Sequence, residues 1–134
     1  MDLVSPAAYT VAEAAHQPGG HVWGGWAGDT LVGLFGMIDV RVPDPGDDDP
    51  DPDPPEDTVY FWRLMVDARH QGNGYGIAMM AEAERIARHW GFGNMSLTAI
   101  DRPGGTIPFY EKLGFRRTGR VLWDGEHELI RALG

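Results

Sequence analysis

A glycine-rich segment from Gln71 to Gly76, with the sequence QGNGYG, is the stretch of this chain best suited to bind an anion. Gly72, Gly74 and Gly76 remove side chains at alternate positions, so a ligand can approach the backbone closely. The segment precedes an amphipathic stretch, and the first amides of a helix have no acceptor within the helix. Backbone amides in this arrangement bind phosphate or diphosphate groups.

Three phosphate-binding patterns compete for this turn, beside the interpretation that the glycines only reverse the chain. A P-loop ends in Gly-Lys-Ser/Thr, whereas the only lysine in the sequence is Lys112. A dinucleotide fingerprint, G-x-G-x-x-G, would have Ile77 in place of its third glycine. The pattern Q/R-x-x-G-x-G/A is matched by Gln71, Gly74 and Gly76. A strand before the turn and a helix after it favour a binding role.

The two elements that flank the turn are the most strongly predicted of the chain. Thr58–Val66 is dense in aromatic and β-branched residues, which predicts a central strand. Between Gly74 and Trp90, apolar residues recur every three or four positions, which predicts a helix with one buried face and a C-terminal cap at Gly91. The expected buried face comprises Ile77, Met80, Ala83, Ala87 and Trp90.

The remaining elements alternate between strands and helices and predict a mixed α/β (α+β) domain over residues 1–134. They are a helix at Ala7–Ala15, strands at His21–Ala27, Thr30–Val42 and Met95–Ala99, a short helix at Thr106–Leu113, and a closing hairpin of Arg116–Trp123 and Glu126–Leu133.

The acidity of the chain is concentrated in one segment. The 134 residues carry a formal net charge of −9, and eight of the 20 acidic residues lie between positions 44 and 57. Six of the ten prolines lie between Pro43 and Pro55, so we expect a solvated, disordered acidic loop over residues 43–57. A chain of this charge is a poor partner for nucleic acid but tolerates cationic substrates.

The sequence does not favour a metal-dependent protein, a protein that uses a cysteine thiol or a protein that spans the membrane. There is no cysteine, and a calcium loop beginning at Asp47 would have Pro52 and Thr58 where glycine and glutamate are required, so we expect no metal. No run of about 18 apolar residues is present, and the N-terminus lacks the pattern of a secretory signal. We therefore expect no membrane partner and a cytoplasmic location.

Two separated motifs resemble the GNAT superfamily of acetyl-CoA-dependent N-acetyltransferases. They are VDARHQGNGYG, from Val66 to Gly76, and FYEKLGF, from Phe109 to Phe115. The resemblance implies the GNAT fold: a mostly antiparallel mixed sheet with splayed central strands and flanking helices. The helix at Ala7–Ala15 resembles the second helix of that fold, so the usual first strand and first helix are expected to be missing. The segment Phe61–Asp67, joined to the turn, resembles the bacterial diamine and spermine/spermidine N-acetyltransferases.

The resemblance also implies roles for individual residues and coenzyme A as the carrier of the acetyl group. Tyr110 would protonate the departing thiolate, since a phenol has a pKa near 10. The coenzyme would be bound by backbone groups of the turn and of the strand before it. These residues are Met65, Val66, Gln71, Gly72, Asn73, Gly74, Tyr75 and Gly76.

The acceptor implied by the resemblance is a small primary amine, with a polyamine or diamine as the first hypothesis. It would attack acetyl-CoA directly in a ternary complex. The residues leave the general base open among Glu56, Asp57, Asp101, Glu126 and His127. Two further interpretations also stay open: a non-catalytic GNAT-like module that binds CoA or another protein, and a homodimer that completes the acceptor site.

Overall fold

The computed structural model describes residues 19–39, 41–42, 55–72, 74–122 and 125–134. The predicted helix at Ala7–Ala15, the acidic segment 43–54, Asn73 and residues 123–124 lie outside the described residues. The elements are β1 (Gly20–Ala27), β2 (Thr30–Ile38), β3 (Thr58–Val66), a 3-10 turn (Ala68–His70), α1 (Tyr75–His89), β4 (Asn94–Ile100), α2 (Ile107–Lys112), β5 (Arg116–Leu122) and β6 (Glu126–Ala132).

The described strands form one mixed sheet in the order β1-β2-β3-β4-β6-β5. Every neighbouring pair is antiparallel except β3 and β4, which run parallel. A parallel pair needs a crossover connection, and here the glycine-rich turn and α1 supply it. The sequence therefore places the turn at the carboxyl end of β3, where a crossover begins.

The pairing of β3 with β4 stops early, and this opens the centre of the sheet. Only Thr58, Val59 and Tyr60 pair with β4, opposite Asn94, Met95 and Ser96. On its other edge β3 stays paired with β2 as far as Val66, which lies opposite Gly33. The predicted splaying of the central strands is confirmed.

The helix α1 covers one face of the sheet and closes the core. Its buried residues are Met79, Met80, Ala83, Glu84 and Ala87. They pack against strand residues that are at most 2% exposed, among them Phe35, Phe61 and Leu97. The helix ends at His89, and Gly91 follows with a φ of 90° and donates to the carbonyl of Arg88, as predicted for a C-terminal cap.

Two predicted details are wrong. Ile77 is 55% exposed and does not belong to the buried face, whereas Met79, which was not assigned to it, is buried. At 100° per residue, Ile77 stands about 90° from the centre of the buried face, so its side chain lies beside the core. The second strand ends at Ile38 and not at Val42, because the chain turns at Asp39, whose carbonyl oxygen accepts from the amide of Val42.

Candidate active site

The turn after β3 is held by a buried carboxylate. Asp67 is 1% exposed and caps the 3-10 turn by accepting from the backbone amide of Arg69 at 3.0 Å. The guanidinium of Arg69 lies over the same carboxylate, with Nη2 2.6 Å from Oδ2, although most of that side chain is exposed. The amide of Asp67 donates to the carbonyl of Val32 at 2.8 Å, which fixes the turn to β2. The glycine-rich segment therefore starts from a fixed point.

Gly74 is the N-cap of α1, which begins at Tyr75. Gly74 has a φ of 79°, a conformation that costs other L-residues about 1 kcal/mol or more. The first intrahelical hydrogen bond runs from the amide of Ala78 to the carbonyl of Gly74. The amides of Gly76 and Ile77 precede this bond, at the positive end of the helix dipole.

A cavity of about 580 Å³ joins the turn to the short helix α2. Five of the six residues of the glycine-rich segment 71–76, which we call the cradle, line it: Gln71, Gly72, Gly74, Tyr75 and Gly76. On the opposite side it is lined by Thr106, Phe109 and Tyr110 of α2 and the loop before it. The cradle and the predicted proton donor, 34 residues apart between Gly76 and Tyr110 in the sequence, thus face one space.

Gly76 sets the width of this cavity between the two helices. A Cβ at position 76 would lie 3.5 Å from Cζ of Phe109 and 3.8 Å from Cδ2 of Leu64. A longer side chain there would fill the space between α1 and α2. The absence of a side chain keeps the amides at the start of α1 accessible to a ligand.

The end of β3 forms the wall between the cradle and α2. Leu64 and Val66 line the cavity, and both lie beyond Tyr60, the last residue of β3 that pairs with β4. The side-chain amide of Gln71 donates to the carbonyl of Val66 at 3.1 Å. Met65 does not line the cavity, as expected from the alternation of side chains along a strand. Its predicted contact, like that of Val66, is a main-chain one.

Tyr110 lines the cavity and is 9% exposed. Its ring contacts Phe109 and Phe115 edge to face, with centroids 5.2 Å and 5.9 Å away. Burial, with a smaller contribution from Tyr60, raises the pKa of Tyr110 to about 12. The phenol is therefore protonated throughout the physiological pH range and can act as a hydrogen-bond donor.

The five residues considered as a general base do not line the cavity: Glu56, Asp57, Asp101, Glu126 and His127. Asp101 is engaged with Arg117, Oδ2 to Nη1, at 3.0 Å. Sequence reasoning missed three polar residues near the opening of the sheet, namely Tyr60, Thr98 and Glu128. Glu128 is 3% exposed and accepts from Thr118 at 2.9 Å and from Arg120 at 3.2 Å. No spacing along β6 indicates the burial of Glu128, because its neighbours across the sheet are set by register.

Residues 3–115 match the model of the Acetyltransferase (GNAT) family, and the chain belongs to that family. It is 26% identical over 106 residues to N-acetyltransferase 8 of Rattus norvegicus. The aligned region covers 79% of this chain and 44% of the relative. The chain thus spans less than half the length of the curated relatives it matches first.

Solved structures show the same fold at low sequence identity. An acetyltransferase of Bacillus subtilis in complex with CoA has a TM-score of 0.69 at 19% identity, over 96% of this chain and 85% of its own. The PaiA N-acetyltransferase of Thermoplasma acidophilum, in complex with coenzyme A, has a TM-score of 0.65 at 16% identity, over 91% and 65%. The predicted GNAT fold is confirmed.

The described ranges also bear on membrane insertion and on metal binding. No helix among them is long and apolar enough to cross a membrane. In that same part of the chain, no group of three or more His, Cys, Asp or Glu residues is arranged to hold a metal ion.

Proposed function

We propose that this protein is an N-acetyltransferase that transfers the acetyl group of acetyl-CoA to a primary amine. The observation that carries the proposal is a cavity that joins the amides at the start of α1 to the phenol of Tyr110 along the open end of β3. Membership of the GNAT family and the CoA complexes of proteins with the same fold support it.

In this proposal the diphosphate of CoA binds to the backbone amides of residues 71–76. Three features favour an anion there: the dipole of α1, the absence of acidic residues from its first turn, and the glycines that expose the amides. The pantetheine arm follows the main chain of Met65 and Val66. The carbonyl of Val66 already accepts from Gln71, but a carbonyl oxygen has a second lone pair for the ligand.

The reaction replaces a C–S bond by a C–N bond and moves one proton from nitrogen to sulfur. The neutral amine attacks the thioester carbonyl, the C–N bond forms, the C–S bond breaks, and its electron pair leaves on sulfur. The nitrogen loses one proton and the sulfur gains one, so that an amide and free CoA result. No covalent intermediate on the protein is required, in accord with a sequence that has no cysteine.

Tyr110 acts at the sulfur in this scheme. Its pKa of about 12 lies above the pKa of a thiol, near 8.5, so the phenol does not transfer its proton completely to a thiolate. It stabilises the departing sulfur by hydrogen-bond donation, and the net proton comes from the nitrogen that has attacked. This narrows the role predicted from the sequence, in which Tyr110 alone protonates the thiolate.

A polyamine or diamine is the first acceptor to test. The support for it is the resemblance of Phe61–Asp67 and the following turn to that branch, together with the formal net charge of −9, which tolerates a cation. Spermidine, putrescine, kanamycin and lysine methyl ester form a suitable panel. Turnover of kanamycin but of neither polyamine would remove this assignment and leave the acetyltransferase proposal intact.

The test of the proposal is a binding measurement followed by an activity measurement. Acetyl-CoA and CoA should raise the melting temperature, because a ligand at 100 times its Kd adds about 2.7 kcal/mol of stability, whereas NAD should not. Acetyl-CoA should then acetylate at least one amine of the panel. Stabilisation without acetylation of any amine, including the amino termini of short peptides, would indicate a CoA-binding module without turnover.

A further inference from the structure

A pair of hydroxyl groups spans the point where the sheet opens. The hydroxyl of Tyr60 lies 2.8 Å from Oγ1 of Thr98, and both residues are half-buried. Tyr60 is the last residue of β3 that pairs with β4, and Thr98 lies two residues beyond its partner Ser96. The hydrogen bond therefore connects β3 and β4 at the point where their backbone pairing ends.

This pair faces away from the side of the sheet that α1 covers. Val59 and Phe61, the neighbours of Tyr60, are in the core at 0% and 2% exposure, and so is Leu97, beside Thr98, at 2%. Because side chains alternate along strands, Tyr60 and Thr98 project from the opposite face. The turn, α1 and the cavity thus lie on one side of the opening, and the hydroxyl pair on the other.

The same face carries a buried carboxylate next to the pair. Glu128 of β6 lies directly opposite Thr98 in the sheet register and is 3% exposed. Its charge is balanced by Arg120 at 3.2 Å, and Thr118 donates to it at 2.9 Å. Tyr60, Thr98 and Glu128 therefore form a polar row across β3, β4 and β6. This row begins at the opening, where a thioester carbonyl held along the end of β3 would be accessible from the far side.

We propose that Tyr60 and Thr98 are positioning residues for the attacking amine. Tyr60 donates to Thr98, the oxygen of Tyr60 accepts an N–H of the neutral amine, and this contact aims the nitrogen lone pair at the thioester from the face opposite Tyr110. The inference rests on the proposed acetyltransferase function. Electrostatic interaction between Tyr60 and Tyr110, which raises the pKa of Tyr110, agrees with both phenols lying near the same opening.

The test compares the Michaelis constants for the two substrates in Tyr60→Phe, Thr98→Val and Thr98→Ser. The amine of the panel with the highest turnover on the native protein is the probe. Loss of one hydrogen bond should raise KM for that amine about tenfold in Tyr60→Phe and in the same direction in Thr98→Val, while KM for acetyl-CoA stays within twofold. Thr98→Ser, which keeps the hydroxyl, should restore the native KM for the amine.

The matched control is Thr30→Val. Thr30 is an exposed residue at the start of β2 and belongs to neither of the strands that carry Tyr60 and Thr98. This substitution should change neither Michaelis constant. If KM for the amine is unchanged in Tyr60→Phe and in Thr98→Val, the inference is wrong although the protein is an acetyltransferase. An equal rise of KM for the amine and KM for acetyl-CoA would also overturn the inference. A native protein that binds CoA but acetylates no amine would overturn the proposed function itself, and this inference with it.

Discussion

The side-chain amide of Gln71 donates to the carbonyl oxygen of Val66 at 3.1 Å, which fastens the glycine-rich turn to the last residue of β3. The two groups belong to the two parts of the proposed CoA site, the diphosphate cradle and the strand that borders the pantetheine arm. This hydrogen bond therefore adds to the contacts of Asp67 in holding the two parts together.

Replacement of Gln71 tests this link. Gln71→Ala should weaken CoA binding about fivefold, because the hydrogen bond contributes about 1 kcal/mol to the ordered turn. Gln71→Glu should weaken it further, since the substitution adds a negative charge beside the proposed diphosphate and removes the donor. Isothermal titration calorimetry with CoA gives both affinities. If Gln71→Glu binds CoA as tightly as the native protein, the diphosphate does not lie beside this residue.

Gly76→Ala should change stability and affinity in opposite directions. Alanine favours the helix by up to about 1 kcal/mol, and its Cβ has room at 3.5 Å from Cζ of Phe109. The same methyl group narrows the cavity and should lower the affinity for CoA. Urea unfolding and calorimetry measure the two effects.

The control for Gly76→Ala is Ala81→Gly, at an exposed residue of the same helix away from the cavity. It should lower the free energy of unfolding by about 1 kcal/mol and leave CoA affinity unchanged. A gain in CoA affinity in Gly76→Ala would mean that the ligand does not pass between α1 and Phe109.

Tyr110→Phe should lower kcat about 100-fold, the usual scale for the loss of one hydrogen-bond donor to a developing negative charge. Its KM for the amine and its Kd for CoA should stay within twofold of the native values, because the ring and its contacts with Phe109 and Phe115 are retained. Steady-state kinetics and calorimetry separate these quantities. Native turnover in Tyr110→Phe would assign the stabilisation of the sulfur to another group.

The raised pKa of Tyr110 also predicts how stability changes in alkali. The pKa of the phenol is about 12 in the folded chain and about 10 in the unfolded one, so its contribution is complete below pH 10 and is lost as the pH rises through 12. Relative to Tyr110→Phe, the native protein should lose about 1.4 kcal/mol between pH 8 and pH 11. Urea unfolding of both proteins at these pH values measures the difference. Equal losses would show that the phenol is not buried as described.

Sequence patterns predicted the elements that hold the cradle because those patterns are local. The dense aromatic and β-branched residues of Thr58–Val66 gave the bounds of β3, and the helical period gave α1 within one residue at each end. The same period misplaced Ile77, because a residue at the margin of an apolar face can turn either to the core or to a cavity.

The polar row could not be predicted from the sequence, because cross-strand neighbours are set by sheet register. Tyr60 and Thr98 are 38 residues apart, and neither lies in a motif. Glu128 becomes a neighbour of Thr98 only because β6 lies between β4 and β5. Register depends on the packing of the whole sheet, and no spacing within one strand reveals it.

Binding of the CoA diphosphate by backbone amides at the start of α1 is the step on which the proposed function depends. The most direct measurement is a titration of the ¹⁵N-labelled protein with CoA, followed by the chemical shifts of the backbone amides. We predict the largest shifts at Gly72, Gly74, Tyr75 and Gly76, with smaller ones at Val66 and Tyr110. Saturable CoA binding that leaves the chemical shifts of the amides of residues 72–76 unchanged would show that the diphosphate binds elsewhere.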